Sequence, residues 1–333
     1  MLARNRFLTA STALAGVFAF RVSPARAADF QYKLGHDMAA SHPIGVAATE
    51  FAGAVRRESN GRLDIKVFPN STLGGDPSMI VQMRSGALEM TLQAAGPLSP
   101  VSALAAIQFV GFAFPDRKAA LGALDGALGL AIRKDLEAKN ILTFEKAWPA
   151  GFRQLTTSTR PIRTVDDLAG LKLRVPVGII SVDLFKTLGA SAVPIDFAEL
   201  YSALQTHVVD GTDGAFINLW TSKAYEVQKY LSVTNHQFSS YWMCMNPDAW
   251  KALPSDLQTI VRRNANLYGA REQRTDELQD DAAAGLLVRY GMQMNTADTS
   301  TFRAKLGGYY AKWKREFGAA AWATLEQYGG KLA

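Results

Sequence analysis

The chain has one cysteine and four histidines in 333 residues, and both scarcities exclude chemistry. Cys244 has no partner for an internal disulfide, and its setting, Tyr241-Trp-Met-Cys-Met245, belongs in a core, so stability must come from apolar packing. The histidines His36, His42, His207 and His236 are dispersed between segments. His36, Asp37 and His42 could in principle supply ligands to a divalent metal. Against that, His36 follows a strand and His42 precedes a proline at a helix start, where polar residues cap or hydrogen-bond locally. No Gly-x-Gly-x-x-Gly follows a strand, and there is no Walker loop, His-Glu-x-x-His or nucleophile elbow. No metal or cofactor is expected.

A membrane-spanning run is missing as well. Phe7 to Phe20 is apolar and uncharged but only 14 residues long, too short to cross a bilayer. With Arg4 and Arg6 before it and Ala25-Arg-Ala27 after it, it predicts a secretory signal peptide over 1–27 and a periplasmic protein. Removing Arg4, Arg6, Arg21 and Arg26 lowers the net charge from +6 to +2, with 32 basic against 30 acidic residues. A balance that near neutral gives no reason to expect nucleic acid as a partner.

What is present is an alternation of strand and helix patterns. Phe30 to Gly35 reads as a strand, and Ile44 to Ser59 as a helix with the stripe Ile44, Ala47, Ala48, Phe51 and Val55. Leu63 to Phe68 is a strand, Ser78 to Arg84 a short helix and Leu88 to Leu92 a strand. A helix over about 117–139 and a strand at 141–145 complete a unit near residue 150. The pattern then restarts, with Thr164-Val-Asp-Asp167 capping a short helix, a strand over Leu171 to Val175, and a helix over Ser181 to Leu188 stopped by Gly189. Glu199 to Gln205 reads as a helix and Val208-Val209 as a short strand. This predicts an α/β fold of two lobes, each a mixed, mostly parallel sheet with flanking helices. Ser255 to Tyr290 reads as one helix of about 35 residues, roughly 50 Å long and so long enough to bridge both lobes. The expected division is 28–150 plus about 237–270 for the first lobe and 151–236 plus about 271–330 for the second. A cleft between two such units is where a small ligand binds.

Two arginines stand out against this background. Arg153, in Gly151-Phe-Arg153, falls where the two units join. Arg174 ends the strand of Leu171-Lys-Leu-Arg-Val-Pro176, so it is either a solvated strand end or a fixed fork for an anion. A guanidinium keeps its proton and presents five donors in a plane, which suits bidentate capture of a carboxylate.

The ordered matches Asn70-Ser-Thr-Leu-Gly-Gly75, Gly151-Phe-Arg153, Leu171-Lys-Leu-Arg-Val-Pro176, Leu188-Gly-Ala190, Glu199-Leu-Tyr-Ser-Ala-Leu-Gln205, Val209-Asp-Gly211, Tyr225-Glu-Val-Gln-Lys-Tyr230 and Leu253-Pro-Ser-Asp-Leu257 span essentially the whole mature chain. In these the protein resembles the DctP-type extracytoplasmic solute receptors of tripartite ATP-independent periplasmic (TRAP) transporters. The resemblance implies a receptor that closes on an organic acid and delivers it to membrane permease subunits. It implies Arg174 as the principal carboxylate clamp, Arg153 as a second anion contact, Phe197 against the ligand body and Asp37 as a polar contact from the first lobe. One departure is evident: where the family commonly reads Val-Asp-Gly-Gln-Glu-Asn-Pro, with the asparagine on the ligand carboxylate, this chain has Val209-Asp-Gly-Thr-Asp-Gly-Ala-Phe216. Gly214 takes the asparagine's place.

An exported enzyme acting on an anion in the same cleft is the rival reading. It would need a poised base, and Asp37 and Asp213 are the nearby candidates. The residues expected around the arginines, namely Gly214, Phe216, Phe197 and Trp148, with Tyr241 either approaching the same space or packing beneath it, offer few polar groups. They suggest a carboxylate on an apolar or aromatic body, such as a 2-oxo, 2-hydroxy or aromatic monocarboxylate, with Gly214 leaving room beside the clamp.

Overall fold

The computed structural model of the chain describes residues 28–332, and the expected signal peptide lies outside them. In chain order the strands are β1 (Phe30–Gly35), β2 (Leu63–Phe68), β3 (Met90–Ala94), β4 (Leu142–Thr143), β5 (Trp148–Phe152), β6 (Gln154–Thr157), β7 (Lys172–Val175), β8 (Ser191–Pro194), β9 (Gly211–Gly214), β10 (Tyr230–Val233), β11 (Phe238–Met245) and β12 (Gln293–Thr296). One sheet runs β2-β1-β3-β11-β4, with β5 also paired to β11, and the other runs β12-β10-β6-β9-β7-β8. Both sheets are mixed. The βα alternation is parallel, as in β2-β1-β3 and β9-β7-β8, whereas β5, β6 and β11 pair antiparallel with their neighbours. Half the pairings are therefore parallel, fewer than the alternation suggests. The difference arises where the chain changes lobe, from β5 to β6 and from β10 to β11, because a strand arriving from the other lobe needs no crossover helix.

Local chemistry accounts for most element ends. His42 caps the helix Pro43–Glu58 by accepting the Ile44 N–H on Nδ1 at 3.1 Å. Ile44, Ala47, Ala48, Phe51 and Val55 form its buried stripe. Thr164 and Asp167 form the reciprocal cap expected of them. The helix expected over 117–139 is two helices, Arg117–Asp125 and Ala127–Ala138, broken at Gly126, where a Cβ would lie 2.5 Å from the Gly122 carbonyl oxygen. The strand expected at Val208-Val209 begins at Gly211 instead. Val209 packs into the second-lobe core, and a Cβ at Gly211 would stand 2.0 Å from the Thr156 carbonyl oxygen, so only glycine lets β9 lie this close to β6.

The long helix runs Ser255–Arg289 and joins the lobes. Leu257, Val261, Ala265 and Tyr268 pack in the core beneath the first sheet, whereas Leu287 packs in that of the second. Between these ends Glu272, Asp276 and Asp280, each four residues from the next, share one buried face with a single cation, Arg117, which bonds to Asp276 and lies 3.6 Å from Asp280. Asp280 also accepts the Ile217 N–H of the second-lobe helix Phe216–Thr221 at 2.8 Å. Burial, followed by the charge of Asp276, raises the Asp280 pKa to about 7, and burial likewise raises that of Asp276 to about 6.

Groups whose folded pKa exceeds the unfolded value stabilise the fold at low pH, and that contribution is lost as pH rises, here between about 4 and about 7. Asp280→Asn keeps an acceptor for Ile217 and removes the charge. It should therefore leave stability near unchanged at pH 4 and raise it by on the order of 1 to 3 kcal/mol at pH 8. Urea unfolding at the two pH values measures this, and an equal effect at both would contradict it.

Candidate functional site

Arg153 lies between β5 and β6, and the second crossing strand passes beside it: its N–H donates to the Gln237 carbonyl at 2.8 Å, and its carbonyl accepts from His236. Its side chain is buried and already paired. Nε donates to Asp213 Oδ2 at 2.5 Å, and Nη2 donates to Oδ1 at 2.8 Å and to the Asp213 carbonyl at 2.9 Å. His236 Nε2 donates to the same carboxylate at 3.1 Å while its Nδ1 accepts from the Thr234 hydroxyl at 2.8 Å, a tautomer fixed by the acceptor-only carboxylate. Burial pushes the Asp213 pKa up, but Arg153 and His236 outweigh it and hold this carboxyl well below the usual range. Asp213 is thus a permanent counterion, which removes it as a candidate base.

Arg174, in β7, is the opposite case. It is buried, with Nε donating to the Ile195 carbonyl at 2.9 Å, and among the described residues its two terminal nitrogens have no hydrogen-bond partner and no carboxylate within ion-pair distance. Desolvation, followed by the charge of Arg153, lowers its pKa to about 10, so it remains a cation. The terminal nitrogens face a cavity between the lobes. Asp37 and Ala94 follow or end the parallel strands β1 and β3; Arg174, Pro176, Asp196, Phe197, Asp213 and Gly214 lie at the matching ends of β7, β8 and β9. Binding crevices of open α/β sheets form at such ends.

Asp37 and Tyr241 come from the first sheet, and the tyrosine hydroxyl donates to Asp37 Oδ2 at 3.2 Å. Asp76 and Asp196, which the sequence reading missed, meet across the cleft: Asp196 caps Ala198 at 3.0 Å and accepts the Asp76 N–H at 3.1 Å. Read locally, each is an ordinary helix-start acid, and only the fold brings them together. Oδ1 of both Asp37 and Asp76 is buried without a partner. Burial raises the Asp37 pKa to about 7 and that of Asp76 well above the ordinary range, the charge of Asp196 adding to both. Such carboxyls can accept from a ligand hydroxyl or, when protonated, donate to one.

Two expected lining residues lie elsewhere. Trp148 is fully buried in the first-lobe core, where its indole meets Gly269, and Phe216 packs on the core of the second lobe. Trp148 alternates away from Arg153 along the strand, and Phe216 starts a helix whose apolar face turns inward. Trp220 stacks on Tyr225, also away from the cavity. Nor does Gly214 leave open room. A Cβ there would meet Leu219 at 3.3 Å, and the space above the glycine holds Leu219 and Asn218. Asn218 lines the cavity, and its Oδ1 accepts from His42 Nε2 at 3.0 Å, since His42 Nδ1 is already an acceptor. The amide nitrogen of Asn218 is left without a protein partner among the described residues. Four residues after Gly214, then, an asparagine amide lines the cavity, and His42 of the other lobe fixes its orientation. No sequence spacing announces it.

Two lobes joined by two crossing strands and a long helix, with an unneutralised arginine in the cleft, define an anion-binding receptor. The family profile of bacterial extracellular solute-binding protein family 7, DctP, matches residues 34–316. The 2,3-diketo-L-gulonate-binding periplasmic protein YiaO of Escherichia coli is 30% identical over 81% of this chain and 81% of its own length. A TRAP periplasmic solute-binding protein from a Polaromonas species, bound to D-erythronate, superposes with a TM-score of 0.86 at 31% identity, covering 89% of this chain and 98% of that one. The sugar-acid-binding protein DctPAm of Advenella mimigardefordensis, in complex with galactonate, gives 0.88 at 28% identity over 92% and 100%. The chain spans about half, 48%, of the uncharacterized protein y4mM of Sinorhizobium fredii, to which it is 36% identical over 78% of its own length. This chain belongs to the DctP family: it is a periplasmic solute-binding protein of the TRAP transport class, a family of binding proteins for small anions and not of enzymes.

Proposed function

We propose that the protein captures a small hydroxylated monocarboxylate and delivers it to TRAP membrane permease subunits. The observation that carries this is the asymmetry between the arginines: Arg153 is neutralised by Asp213, whereas Arg174 offers two free terminal nitrogens to the cavity. In this reading the ligand carboxylate lies on Arg174 and the Asn218 amide, while Asp37 and Asp76 take hydroxyls. Phe197, Phe109 and Leu200 cover the carbon chain. Asp37 and Asp76 favour a hydroxylated body over a purely apolar one, because a buried carboxyl oxygen left unpaired beside an apolar ligand costs roughly 1 to 3 kcal/mol. The displacement of Trp148 and Phe216 from the cavity takes away much of the aromatic wall that an aromatic acid would use. D-Erythronate, held by the Polaromonas relative, is an acid of the proposed kind.

Calorimetric titration with lactate, a four-carbon aldonate, benzoylformate, succinate and glucuronate tests the assignment. The hydroxy monocarboxylates should bind most tightly and be returned chemically unchanged. Tight binding confined to benzoylformate would restore the aromatic reading, and turnover of any bound acid would favour an enzyme.

A further inference from the structure

A second, more open cavity adjoins the first in the cleft, and Asp37, Phe197 and Leu200 line both. Its remaining walls carry hydroxyl and amide groups from both lobes: Asn70 and Ser71 beyond β2, facing Tyr201, Thr221 and Ser222 of the second lobe. Ser71 Oγ is buried without a partner, and the residue is held with φ at +54° by its N–H donating to the His36 carbonyl at 3.0 Å. Positive φ at a residue other than glycine is a strained arrangement kept in place by surrounding contacts.

We propose that Phe197 is a partition that sets ligand length, and that the outer cavity is a polyol subsite reached only when the partition is removed or moved. The proposal rests on the hydroxy-acid reading of the inner cavity. Three contacts fix the ring. The Arg174 guanidinium lies 5.8 Å from its centroid, Phe197 opens a short 3-10 turn capped by Asp196, and the Asp196 carboxylate reaches across the cleft to the Asp76 N–H. The wall is therefore anchored by the group that faces the carboxylate and by a contact made only when the lobes touch. An acid short enough to end at Phe197 meets Arg174, Asn218 and the two aspartates. A longer one needs the space beyond, where Ser71 and Asn70 offer hydrogen bonds to distal hydroxyls.

The test is calorimetry of straight-chain aldonates with four and six carbons, on the mature protein and on Phe197→Ala, with Phe197→Leu as a smaller truncation and circular dichroism as the check on folding. The wild type should prefer the four-carbon acid. Phe197→Ala should shift the six-to-four-carbon affinity ratio toward the longer acid by at least about tenfold, since rejection by a pocket wall is worth that much. Phe197→Leu should give a smaller shift, and adding Ser71→Ala to Phe197→Ala should weaken the six-carbon acid only. An unchanged ratio in the folded variants, with both acids weakened alike, overturns the partition while leaving the receptor reading intact. Failure of the wild type to bind either aldonate removes the hydroxy-acid reading and the partition with it.

Discussion

Arg174→Ala should leave a folded protein whose affinity for its acid is lower by about thirtyfold to several thousandfold, a loss on the order of 2 to 5 kcal/mol. The side chain gives up one hydrogen bond to the Ile195 carbonyl and the two terminal nitrogens that face the cavity. It is a buried cation without an ion-pair partner among the described residues, so its removal should change unfolding free energy by less than about 1 kcal/mol or raise it. Affinity collapsing while stability holds distinguishes a ligand clamp from a structural arginine. Lysine at 174 keeps the charge but not the planar fork and should bind poorly. Calorimetry with urea unfolding of the same samples reads both quantities, and wild-type affinity in folded Arg174→Ala would remove the assignment.

Asp213→Asn should show the reverse pattern. Arg153 then lies in the interior without its counterion, and breaking a buried pair by removing one partner costs about 3 to 5 kcal/mol of folding stability. His236 retains an acceptor through the amide oxygen, so the loss is one of charge rather than of shape. A ligand carboxylate near the released Arg153 restores compensation, and ligand should therefore raise the melting temperature of Asp213→Asn by more than it raises that of the wild type. A melting temperature unchanged by the mutation would show that Arg153 does not depend on Asp213.

The contrast between the two arginines was only half legible in the sequence. Both were expected in the cleft and both line it, because a strand end and a lobe junction are features of local pattern. Their difference was not visible, because the partner of Arg153 lies 60 residues away on a strand whose Gly-Thr-Asp-Gly sequence hardly reads as one. The long helix was legible from its caps and stripe to within a residue at each end, while the antiparallel strand β11 went unrecognised: it is buried along its whole length and so shows no alternation. Asn218, Asp76 and Asp196 were hidden for another reason. Each makes its telling contact across the cleft, His42 with Asn218 and Asp196 with Asp76, and no local period records a contact between lobes. Trp148 erred in the other direction, since proximity in sequence to Arg153 says nothing about which face of a strand a side chain takes.

A crystal structure of the protein with a hydroxy monocarboxylate bound tests the central claim most directly. The account predicts the carboxylate within hydrogen-bond distance of both terminal nitrogens of Arg174, with Asn218 as a further donor and Arg153 still paired to Asp213. A carboxylate bound instead to Arg153 with Asp213 displaced, and Arg174 facing no anion, would contradict it.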